Sequence, residues 1–114
     1  MFYLTDLDER LAGGYPIRIR FEHFPREYGP FYQGFTRAIL EVSDGNGKWD
    51  RGPTSLSYCS YSDQFNRATG RKVALTHLLR QLTIRGMLSK ADRASIWHDY
   101  WRERERVGDY SRKG

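Results

Sequence analysis

Between Ile17 and Phe24 apolar and charged side chains alternate one by one, Ile-Arg-Ile-Arg-Phe-Glu-His-Phe. A period of two places Ile17, Ile19 and Phe21 on one face of a half-buried strand and the charges on the other. A second β-rich stretch, Phe35 to Val42, runs into Ser43-Asp44-Gly45-Asn46-Gly47-Lys48. Asp-Gly and Asn-Gly supply the positive φ values of a hairpin turn, so the chain is expected to fold back there. A third strand is predicted from Thr54 to Tyr61, beginning after a break at Gly52-Pro53, with Leu56 and Tyr58 on one side and Cys59 and Tyr61 on the other. The simplest assembly is a three-stranded antiparallel sheet.

Beyond Tyr61 the period lengthens. Ser62 followed by Asp63 reads as a helix N-cap with an acid in the first turn. Gly70 weakens that helix by about 1 kcal/mol relative to Ala, which predicts either a short first helix ending near it or a tight packing contact. Leu75, Leu78, Leu79 and Leu82 then fall at i, i+3, i+4 and i+7, a stripe that should lie on the sheet with Arg71, Lys72 and Arg80 off its centre. Gly86 ends the helix. Ser89-Lys90-Ala91-Asp92 resembles a capping box with Asp in the usual Glu place, and Ala94, Trp97 and Trp101 continue on one face of a last helix reaching about Val107. The expected fold is α+β, a small antiparallel sheet of about three strands followed by two or three helices packed on one face. Its core should draw on Ile17, Ile19, Phe21, Ile39, Leu56, Phe65, Leu75, Leu78, Leu82 and Trp97.

The chain has 114 residues, 39% hydrophobic and 15% aromatic, which describes a single small domain over 1–114 with a loosely ordered start (1–14) and a frayed tail (108–114). No apolar run approaches the roughly 18 residues of a membrane span, and the start lacks a signal-peptide pattern, so no membrane role and a cytoplasmic location are expected. Cys59 is the one cysteine and has no disulfide partner in the chain, which suits a reducing compartment.

Charge is unevenly placed. Residues 1–60 hold 7 basic and 8 acidic side chains, residues 61–114 hold 12 and 6, and from 67 to 93 seven cations face only Asp92. A basic helical segment with Arg67, Arg71, Lys72 and Arg80 can neutralise phosphates and release their counterions, or meet an acidic protein face, or lie in solvent. A second feature is the aromatic run Phe24-Pro25-Arg26-Glu27-Tyr28-Gly29-Pro30-Phe31-Tyr32-Gln33-Gly34-Phe35. Tyr28, Phe31 and Tyr32, held by Pro and Gly, suit a protein interface or a base-stacking platform, unless the loop folds its rings over the core. Catalysis has little to work with: His23, His77 and His98 show no metal-ligand or nucleophile spacing, and no Gly-rich phosphate loop occurs. No residue is assigned a catalytic or metal-binding role, and no cofactor is implied.

The segment from Tyr58 to Arg80, with Cys59, Asp63-Gln64-Phe65 and Gly70-Arg71-Lys72-Val73-Ala74-Leu75, resembles small phage and prophage accessory proteins that carry a Cys, a following Asp-x-Phe and a Gly-Arg-Lys-x-Ala-Leu run. The likeness spans about a fifth of the chain, and the same residues also read structurally, as a helix start, a core plug and a close approach. It implies a phage gene acting in an infected or lysogenic bacterium. Proteins of that group commonly block a host machine, anti-CRISPR inhibitors among them. The resemblance therefore implies a non-enzymatic antagonist of a host nucleoprotein or immune complex, acting through Arg67, Arg71, Lys72, Arg80, Tyr28, Phe31 and Tyr32. Direct DNA or RNA binding in phage replication or regulation is the first alternative. A sponge for a phosphorylated signalling nucleotide, with arginines on phosphate and rings around the base, is the second.

Overall fold

In the computed structural model, residues 1–5, 7–25, 32–60 and 66–107 are described. The elements are β1 (Phe2–Tyr3), α1 (Asp8–Ala12), β2 (Ile17–Pro25), β3 (Tyr32–Ser43), β4 (Trp49–Ser60), α2 (Arg67–Ile84) and α3 (Lys90–Arg106). The fold is α+β, with one antiparallel sheet in the order β1-β2-β3-β4. The sheet thus has four strands where three were expected, the extra one being the two-residue β1 at the edge beside β2.

Register follows the alternation in the sequence. Ile17 faces Val42, Ile19 faces Leu40, Phe21 faces Ala38 and His23 faces Thr36. This row forms the face on which the helices pack. The alternate row, with Arg18 opposite Glu41 and Glu22 opposite Arg37, forms the outer face. The β3–β4 turn closes as its sequence requires: Asp44 Oδ1 accepts from the Asn46 and Lys48 amides at 2.7 and 3.2 Å, and Gly45 and Gly47 take φ of 85° and 94°. Gly52-Pro53 does not break the strand. Ile39 pairs with Thr54 but Glu41 pairs with Arg51, so the two residues are absorbed in a bulge on the edge strand β4. An edge bulge tolerates the missing proline N–H, which is why a local break signal left the strand intact.

The first long helix starts at Arg67 rather than near Asp63, which lies outside the described residues. Asn66 is its N-cap, accepting from the Thr69 amide at 3.0 Å. Gly70 sits inside the helix as a packing contact: a Cβ there would run into Thr36 Oγ1 and lie 3.1 Å from Thr36 Cβ. Leu75, Leu78, Leu79 and Leu82 are buried as the stripe predicted. On β4 two small side chains let α2 come close, since Ser55 donates its hydroxyl to the Ala74 carbonyl at 2.6 Å and Ser57 is also buried. The helix ends in a Schellman motif, with Met87 N on Leu82 O, Gly86 N on Thr83 O, and Gly86 at φ 77°. Ser89 and Asp92 complete the predicted capping box at 2.8 and 3.1 Å.

The buried face of α3 is rotated from the expected one. Ile96 and Tyr100 enter the core, Trp97 is partly buried, and Ala94 and Trp101 are exposed. Tyr100 takes the place expected of Trp101 because it meets two rings edge-on, Phe2 at 5.6 Å and Phe21 at 6.0 Å. The first residues, expected to be loose, make up part of that core: Phe2, Leu4 and Leu7 are buried. Thr5 is clamped to buried Asp99, its amide and hydroxyl both donating at 3.1 Å, while Arg102 donates to the same carboxylate at 2.9 Å. Of the other expected core residues, Phe21 and Leu56 are half-buried, Phe65 lies outside the described residues, and Ile39 is buried under the side chains of the outer face.

Candidate functional site

The helices place the predicted cations in two groups. Arg67 is the exposed first residue of α2, Arg71 follows one turn later and is half-buried, and Lys72 is exposed. Arg80 stands roughly 13 Å further along the axis than Arg71 and half a turn round it. It lines a shallow cleft of about 340 Å³ between α2 and α3 with Ile84, Arg93 and Trp97, so it does not join the others. Tyr28 and Phe31 lie outside the described residues. Tyr32 opens β3 opposite Ser60.

Around Arg67 and Arg71 the fold adds two residues that the sequence analysis did not select. Because α2 and α3 run antiparallel, the end of α3 returns to the start of α2, with Lys72 Nζ 5.7 Å from the Trp101 ring. Arg104, expected in a solvated stretch, is half-buried and reaches over Tyr100, its guanidinium carbon 6.0 Å from the ring centroid. It stands one turn beyond Tyr100 on the inward face, which explains the difference. His23 lies in the core-facing row of β2 and shares a 2.9 Å hydrogen bond between Nδ1 and Thr36 Oγ1. Thr36 is the residue against which Gly70 packs, so the imidazole sits beside the first turns of α2.

The electrostatics agree with this geometry. The His23 pKa is pushed down to about 4, first by burial, then by the positive charges of Arg71, Arg67, the chain's amino group and Arg104. That amino group is itself lowered, by burial first and Arg104 next. The first turn of α2 carries no acid, so the positive end of its dipole adds to the same field. His23 is therefore neutral at pH 7, with the positive charges of Arg71 and Arg67 on the first turns of α2 acting on it. His23 carried one usable signal in the sequence, a histidine in a core-facing strand position. Arg104 carried the i+4 spacing from Tyr100.

On the outer sheet face the arginines are committed. Glu41 accepts from Arg18 Nε at 2.7 Å and from Arg20 Nε and Nη2 at 3.2 and 3.1 Å; Glu22 accepts from Arg20 at 2.7 Å and Arg37 Nε at 2.8 Å. Burial alone would raise the Glu41 carboxyl, but the hydrogen bonds from Arg20 and Arg18 overcome it and hold it below the usual range. Arg18 also stacks 3.9 Å over Trp49. At the His23 end of this face runs an aromatic row, Phe24 to Phe35 at 4.6 Å and Phe35 to Tyr58 at 5.6 Å.

Among the described residues no group of three or more His, Cys, Asp and Glu is placed to hold a metal ion, and no helix is long and apolar enough to cross a membrane. Compared with known protein families, curated proteins and solved structures, the chain matches none.

Proposed function

We propose that this chain is a non-enzymatic binding protein that docks on a nucleoprotein complex and occludes its nucleic-acid path, gripping phosphate-bearing surface with Arg67, Arg71, Lys72 and Arg104. The observation that carries the reading is that Arg67, Arg71 and Lys72 stand on the first two turns of α2, with Lys72 Nζ 5.7 Å from Trp101 on the end of α3 that also carries Arg104. Exposed Arg67 and Lys72 on those turns can meet phosphate oxygens directly. The likeness of the 58–80 segment to phage accessory proteins supports a host complex as the target, met in the cytoplasm of an infected or lysogenic bacterium. Capture with the tagged chain from such a lysate should recover a defined protein complex. An Arg67→Glu/Lys72→Glu variant, altered only at exposed positions, should lose it. Undiminished recovery by that variant would overturn the reading.

Direct binding to a bare single strand is the second reading, favoured by the Phe24, Phe35 and Tyr58 row at the same end, where bases can stack. It predicts binding to a labelled oligonucleotide without any protein partner. Three phosphate contacts would weaken duplex binding about 40-fold between 50 and 200 mM salt, and somewhat less for a single strand. A flat salt response would remove it.

A further inference from the structure

Toward the end of α2, the two long helices enclose the cleft of about 340 Å³ whose lining includes Leu79, Arg80, Thr83, Ile84, Arg93 and Trp97. Arg80 stands about 20 Å along the axis from Arg67, so this is a different surface from the one proposed above. The cleft has an apolar strip. Leu79 is buried, and Trp97 is half-buried and held edge-on to Tyr100 at 5.6 Å. Ile84 beside them is 79% exposed, although the turn that ends α2 closes through the Gly86 and Met87 amides. Two guanidinium groups flank the strip. Arg80 is exposed, and Arg93 is aimed by the 3.0 Å bond from its Nη1 to Thr83 Oγ1. Among the described residues neither is paired with a carboxylate, in contrast to Arg18, Arg20 and Arg37 on the outer sheet face. Arg85 and Lys90 add two exposed cations at the same end of the helix pair. The one acid between residues 76 and 93, Asp92, caps α3 by accepting from the Ser89 amide at 2.8 Å.

We propose that this cleft docks an acidic segment of a protein partner, with an apolar side chain such as leucine seated against Ile84 and Trp97 and flanking carboxylates on Arg80 and Arg93. The proposal is independent of the phosphate-gripping reading and adds a second surface to it. Charge sets the sign of the partner, since planar guanidinium forks match carboxylates and no acid of the chain lines the cleft. The apolar strip sets its class. A phosphodiester backbone could satisfy the two arginines, but it would leave Leu79, Ile84 and Trp97 with nothing apolar to bury against, whereas a leucine between carboxylates meets both demands. A second copy of the chain, docked through the same face, would set Arg80, Arg85, Lys90 and Arg93 against themselves.

The test titrates the full ¹⁵N-labelled chain, at physiological salt, with a short polyglutamate peptide carrying two leucines. A counterpart with alanines for the leucines keeps the charge and loses the anchors, and a single-stranded oligonucleotide of the same net charge is the nucleic-acid arm. The leucine peptide should shift the Trp97 indole N–H and the Thr83 amide while the Trp49 indole stays still, and it should bind about tenfold or more tighter than the alanine peptide. Ile84→Ser and Arg80→Glu, both at exposed positions, should each weaken it by about tenfold. Arg67→Glu/Lys72→Glu should leave it within about threefold, because the charges are screened at that distance. No shift at Trp97 would overturn the proposal. Equal binding of the two peptides, or an equal response to the oligonucleotide, would reduce the cleft to a patch of positive charge and overturn it as well. Trp97 shifts that track the concentration of the chain itself, without peptide, would assign the face to a second copy instead. Peptide binding kept while capture of the nucleoprotein complex fails, or the reverse, tells which of the two surfaces has fallen.

Discussion

Replacing Gly70 with alanine sets two known effects against each other at a position where the structure says which should win. In a solvent-facing helix position the change would stabilise by about 1 kcal/mol, because alanine loses less backbone freedom on folding. Gly70 is only the fourth residue of α2, where that gain is smaller. Against it stands Thr36, which is fully buried, β-branched and bonded to His23, and whose Oγ1 and Cβ occupy the space that a Cβ would enter. Thr36 cannot rotate away without breaking that bond or driving Cγ2 into the gap, so α2 must lift from β3. Overpacking of this kind costs about 1–3 kcal/mol, leaving a net loss of about 1–2 kcal/mol and a Tm lower by roughly 4–8 °C. Urea denaturation followed by circular dichroism measures it. The Thr36→Ala change removes the obstructing hydroxyl and methyl, so the Gly70→Ala/Thr36→Ala double variant should lose less than the sum of the singles. A Gly70→Ala protein as stable as the parent, or more so, would refute the reasoning and show that the α2–β3 contact has slack.

Three further outcomes follow from the same structure. The His23 value is lower folded than unfolded, so the unfolded chain binds the proton first; stability should be full above pH 6.5, fall on the order of 2 kcal/mol as pH drops to about 4, and level off below, and in urea titrations His23→Gln should remove that share of the slope. Glu41→Ala strands Arg18, leaves Arg20 with Glu22 as its remaining carboxylate, and should cost about 2–3 kcal/mol by the same assay, while Glu41→Gln, keeping one acceptor, costs less. Arg80→Glu, reversing a charge that lies away from the His23 cluster, should leave recovery of the partner complex unchanged, whereas Arg67→Glu/Lys72→Glu abolishes it; equal loss from both would mean that overall charge governs binding.

Elements whose signal is local were legible in the sequence. The Ile17–Phe24 alternation, the leucine stripe of α2, the Asp-Gly and Asn-Gly turn and the Ser89–Asp92 box each have their cause within eight residues, and each formed as read. What was misread had its cause elsewhere in the chain. Tryptophans look like the natural core residues of α3, yet the pocket beneath the helix is shaped by Phe2 and Phe21, and a tyrosine edge fits between those rings. β1, at two residues, is too short to display any period, so the partner that selects Tyr100 was invisible. Gly70 announced a close approach, but Thr36, the residue approached, lies on another strand.

The candidate site is an extreme case of the same limit. Its cations come from two helices that meet only because the Gly86 turn returns α3 along α2, and its imidazole comes from a strand more than forty residues earlier than Arg67. Sequence density of Arg and Lys pointed to α2 but not to how its cations divide around the helix. It weighted Arg80 as heavily as Arg71, though helical geometry alone sets those two about half a turn apart. It also passed over Arg104, whose neighbours Glu103 and Glu105 make the stretch look self-neutralised. In the folded chain Arg106 takes up Glu103 through bonds of 3.0 and 2.7 Å, and Arg104 turns inward over Tyr100. Net charge over a window averages away this division of labour, because alternate residues of a helix end point to different surroundings. What reveals the candidate site is the packing of Gly70 on Thr36 beside His23 and the approach of Lys72 to Trp101, contacts that exist only after folding has brought the sheet, α2 and α3 together.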